Sequence, residues 1–216
     1  MKRWAILVAA LYGLIIVALT APVITVSLKD MSLKESAEVF GAWQYWTWLG
    51  VMVLAQIALL AVPVQFASRR PVTQGSLVPT VLASALMMGG LVAGAVCALH
   101  EFATGSVETP EHDGWCILAI MALTWCLWSL IFHRMGKQED AENFVSRQSR
   151  TLLKGSILEL LVAVPTHIIV RHRSECCAGF MTFIGLTMGI SVMLFSFGPA
   201  VFFLFVARWR RLHPAG

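Results

Sequence analysis

Charge is scarce in this chain: 13% of its 216 residues are Asp, Glu, Lys or Arg, about half the share of an ordinary soluble domain. A large soluble domain is therefore excluded. Catalytic signatures are missing as well. There is no Walker loop, dinucleotide-binding glycine fingerprint, H-E-x-x-H or G-x-S-x-G, so no familiar nucleotide, metalloprotease or acyl-transfer chemistry is encoded locally. The five cysteines form no C-x-x-C pair, which argues against a thioredoxin-like exchange site. No internal repeat relates one half to the other, as matched-half secondary transporters require. On these grounds the chain leans away from being an enzyme.

What is present is apolar. Hydrophobic residues make up 58% and the mean hydropathy is +0.76, with several uncharged runs long enough to cross a hydrocarbon core about 30 Å thick. The chain reads as an all-α integral membrane protein. The first run, Trp4 to Leu28, exceeds the apolar region of a cleavable signal, and the best cleavage point, after Ala21, is followed by Pro22; it reads as a retained span. Further spans are expected at Trp43–Phe66, Ser76–Leu99 and Trp115–Phe132. Residues 1–133 then form a four-span block. In a polar cytoplasmic segment, 134–154, Glu139, Asp140 and Glu142 precede Arg147, Arg150 and Lys154, which reads as a short surface helix whose basic end rests on anionic headgroups. Residues 155–216 form a two-span block with a polar connection at 166–179.

Orientation follows from the excess of Lys and Arg on cytoplasmic segments. Six spans with both termini inside leave four such residues outside, Lys29, Lys34, Arg171 and Arg173, and the other twelve inside. If Ile157–Val170 is a re-entrant or interfacial segment, making five spans, the division is eleven to five. An interfacial helix needs a broad polar face, which this stretch lacks, so a six-helix bundle is expected. The expected location is a bacterial cytoplasmic membrane. The net charge of +4 is accounted for by the bilayer surface, with no nucleic acid required.

Six spans bring an unusual set to the outer level. The stretch "THIIVRHRSECCAG", Thr166–Gly179, then lies beside Cys97, His100, His112 and Cys116, under an acidic loop containing Glu101, Glu108, Glu111 and Asp113. Cys97 with His100, and His172 with Cys176 and the adjacent Cys177, have helical-face spacing and the ligand types of zinc or copper. His100 with His167 could ligate haem across the bundle. Cys97 and Cys116 lie near the ends of spans joined by one loop and are candidates for a disulfide.

Glu159 is the costly intramembrane residue, since an acid at mid-span costs about 2.5–3.5 kcal/mol on insertion scales. It shares a narrow stripe with Ser156, Ala163, Thr166 and Val170, which should face other helices, and Pro165 lies on the same element. A hydrogen bond to Gln56 is the quiet expectation for it; proton or cation handling is the functional one. Gly90 with Gly94, and Gly185 with Gly189, are small-xxx-small pairs suited to close helix contact. Three function classes follow: an outer Cys/His site for a transition metal, haem or thiol chemistry; a non-catalytic scaffold or assembly subunit that contacts lipid, a membrane-protein partner or another copy of itself; and a small permease using Glu159.

Overall fold

A computed structural model describes residues 2–27, 40–68, 74–105, 111–138, 140–173 and 179–212, and every element among them is an α-helix. In order these are α1 (Lys2–Ser27), α2 (Trp43–Leu59), α3 (Ala61–Ala67), α4 (Gln74–Thr104), α5 (Glu111–Gln138), α6 (Ala141–Arg171), α7 (Phe180–Ser196) and α8 (Gly198–Leu212). Six stretches are long and apolar enough to cross a membrane, with α2–α3 and α7–α8 each making one. The six-span expectation holds over the five-span alternative. An even number of crossings places the start of α1 and the end of α8 on one face.

The segment from 157 to 170 crosses because it has two faces of different kinds. Ser156, Glu159, Ala163, Thr166 and Val170 are all buried, as their spacing predicts, while Ile157, Leu158, Leu161, Ile168 and Ile169 point outward. α6 is continuous from Ala141 to Arg171 through Pro165, so residues 141–154 share one helix with the fifth span.

Two spans are interrupted, and in each a proline explains the break. Pro63 and Pro199 supply no N–H to the carbonyls four residues earlier, and the chain steps out of regular helix at Leu60 and Phe197. At the first break the Thr80 hydroxyl donates to the Ala58 carbonyl at 2.7 Å. The Gln148 amide donates to the Thr80 carbonyl at 3.1 Å and to the Ser84 hydroxyl, which joins α2, α4 and α6 through one buried polar tier.

α4 is the hub, packing against α5, α6 and α7; 72% of its span is buried, against 6% of the span on α5. Small residues let it approach α7 closely. A Cβ added to Gly185 would lie 2.8 Å from the Gly94 carbonyl oxygen, so the two backbones touch where the glycine pairs predicted. The first helix closes the bundle against both halves of the sixth span: Trp4 stacks on Phe205 of α8 with ring centroids 5.4 Å apart, and Tyr12 meets Phe195 of α7 at 6.0 Å.

Candidate functional site

The seam between α4, α6 and α7 holds two polar centres. At its outer end α4 finishes at Thr104, with Gly105 in the left-handed conformation at φ +72°, the usual terminator of a helix. α7 begins after Gly179, also left-handed at φ +102°, a region that penalises any side chain. Glu101, 1% exposed, reaches from α4 to the start of α7 and accepts two backbone N–H groups, Gly179 at 2.8 Å and Thr182 at 2.7 Å. An acid there satisfies orphan donors and complements the positive end of the helix.

The opposite helix end is served by Arg173. Its guanidinium donates to the carbonyls of Glu101 at 3.2 Å and Phe102 at 2.7 Å and lies 5.6 Å from the centre of the Phe102 ring. His167 closes the group, its Nδ1 lying 2.8 Å from the Thr182 hydroxyl. That hydroxyl also lies 3.0 Å from the Gly179 carbonyl, which ties His167 to the same turn. The costly residues around the outer turn thus act as reciprocal caps on two helix ends.

This group predicts a measurable effect. Glu101→Gln keeps one acceptor but turns an N–H-bearing amide towards a second donor. Loss of one charge-assisted bond and creation of one unmet donor should lower stability by about 1–3 kcal/mol. Thermal unfolding in detergent reads the loss, and faster hydrogen exchange at the Gly179 and Thr182 amides localises it.

Of the residues singled out in sequence, His167 belongs to this group. Cys97 is buried one turn below Glu101 on α4, whereas Cys116 and Cys126 are exposed; all three are free thiols. His100 is half-buried and His172 exposed. Cys176 and Cys177 lie outside the described residues, as does the side chain of His112. Among the described residues no three of His, Cys, Asp and Glu gather as a metal ion would require. Of the candidate haem pair, His167 is engaged with Thr182. Glu101 was legible only as part of an acidic loop, yet it continues the stripe Gly90, Gly94 and Cys97 at helical spacing.

The second centre is Glu159, midway along α6. It is 4% exposed, and neither carboxyl oxygen has a hydrogen-bond partner among the described residues. Three glycines make room for it. A Cβ on Gly94 would lie 3.3 Å from Oε1 and one on Gly185 3.1 Å away, while one on Gly189 would overlap Oε2. The expected bond to Gln56 is not formed. Gln56 lies instead against Gly198, where an added Cβ would overlap its amide, and its own amide atoms are also without hydrogen-bond partners among the described residues. The two side chains belong to different seams.

No protein family, curated protein or solved structure matches this chain at a significant level.

Proposed function

We propose that the chain is a small membrane protein that handles protons or a small monovalent cation at Glu159. The observation that carries this reading is a buried carboxyl with both oxygens unmet, held in a glycine-lined gap between three helices. An isolated charge in such surroundings is strongly penalised, so the group carries a proton or a bound cation. Ionisable groups kept inside a bilayer at that cost mark ion and proton pathways by default.

Placement along α6 supports the same reading. Gln148, Glu159 and His167 are three buried or half-buried polar stations facing the bundle, and the 19-residue rise between the outer two corresponds to about 28 Å, close to the thickness of the hydrocarbon core. Reconstitution into vesicles with an internal pH dye tests it. An imposed proton gradient, with sodium, potassium or neither supplied, should dissipate faster than in empty vesicles. Dissipation at the empty-vesicle rate under all three conditions overturns the proposal.

A second reading, a non-catalytic subunit, draws on α5. Its span is almost unburied, and Leu118, Leu123, Leu127 and Leu130 all face outward, a surface that serves lipid or a partner helix equally. A mass by light scattering in detergent equal to one chain, with no co-purifying protein, removes this reading.

A further inference from the structure

The basic end of α6 takes no part in the Glu159 site. Arg147, Arg150 and Lys154 follow one another at three and four residues, one face of a helix. With Asn143, Ser146 and Thr151 they line an open cavity of about 510 Å³. A groove of about 330 Å³ continues from it, since Ser146 and Arg150 line both. This groove passes between α6 and the broken sixth span, along Leu153, Phe197, Pro199, Ala200 and Phe203. One end is cationic and rich in hydrogen-bonding groups; the other is apolar.

Both cavities lie at the membrane boundary. Arg150 precedes Arg171 by 21 residues and Phe203 follows Phe180 by 23, rises of about 32 and 35 Å from the outer helix ends. Both therefore stand near the far boundary of a hydrocarbon core about 30 Å thick, on the face that the Lys and Arg distribution assigns to the cytoplasm.

We infer that the two cavities together bind one anionic phospholipid of the cytoplasmic leaflet, with its phosphate at Arg147, Arg150 and Lys154 and an acyl chain in the groove beside Phe197 and Ala200. Guanidinium forks match phosphate oxygens in pairs, and Ser146 and Asn143 supply partners for a hydroxylated headgroup. A zwitterionic lipid brings an ammonium group into the same positive field and is disfavoured. The chain of the lipid would fill the space beside the Pro199 break, against Phe197 and Phe203. The proposal is independent of the role of Glu159.

Titrating the detergent-solubilised full chain with phosphatidylglycerol and with phosphatidylcholine of equal chain length tests it. Phosphatidylglycerol should bind at least about tenfold more tightly, and the difference should shrink as salt rises. Arg150→Gln with Lys154→Gln, both at exposed positions, should weaken phosphatidylglycerol about 30-fold and leave phosphatidylcholine unchanged. Ala200→Trp, filling the groove, should weaken both lipids. Equal affinity of the parent for the two lipids, or undiminished phosphatidylglycerol binding by the double variant, overturns the inference. Displacement of phosphatidylglycerol by inorganic phosphate in molar excess also overturns it, since the site would then serve a free anion.

Discussion

Glu159→Gln inserts and folds like the parent but loses proton or cation flux by about a hundredfold or more, the scale on which a positioned proton-transfer group acts. Glutamine keeps the length and planarity of the side chain, so it fits the gap formed by Gly94, Gly185 and Gly189, but it holds no exchangeable acidic proton and no negative charge. A hydrophobic carbodiimide provides a separate readout. It should modify the parent at Glu159, leave Glu159→Gln unmodified, and be slowed by whichever cation occupies the site. Glu159→Met adds the energetic side: removing an unmet buried carboxyl should raise stability by about 1 kcal/mol or more while abolishing flux. Full flux in Glu159→Gln, with normal expression, would remove the proposed role.

Gly185→Ala should cost about 1–3 kcal/mol, the usual scale of overpacking, because the new methyl meets the Gly94 backbone, which cannot swing aside, as well as the Glu159 carboxyl. Its Cβ would lie 2.8 Å from the Gly94 oxygen and 3.3 Å from the Gly94 carbonyl carbon, so α4 and α7 must separate. Gly50→Ala is the control. That glycine is exposed on α2 with nothing within 4 Å of an added Cβ, and alanine there should be neutral or slightly stabilising through helix propensity. Thermal unfolding followed by circular dichroism separates the two. A parent-like midpoint for Gly185→Ala would contradict the close crossing.

The stripe through Glu159 was legible because burial on a helix repeats at three and four residues, and Ser156, Ala163, Thr166 and Val170 are small enough or polar enough to stand out from the surrounding Leu and Ile. The glycine pairs were legible for the same reason. Shared depth was a weaker guide. It places Cys97, His100, Cys116 and His167 at one membrane level, but level does not fix the direction in which each helix face points. Cys97 turns into the seam while Cys116 turns out of it. Glu101 escaped notice because in sequence it adjoins the acids of the following loop, and only its phase with Gly94 and Cys97 marks it as interior. The Gln56 pairing failed because the choice between two seams depends on how α8 is set by the break at Phe197, which no local pattern encodes.

The contact of Trp4 with Phe205 has a consequence for biogenesis. Among the described helices α1 leaves the ribosome first and α8 last, so the contact of Trp4 with Phe205 forms only once α8 is made and that of Tyr12 with Phe195 only at the end of α7. During that interval the bilayer, or an insertion factor in it, must shelter two aromatic side chains whose permanent neighbours are still untranslated. A chain released before α8 would display Trp4 as a mark of incompleteness, open to the proteases that clear unfinished membrane proteins.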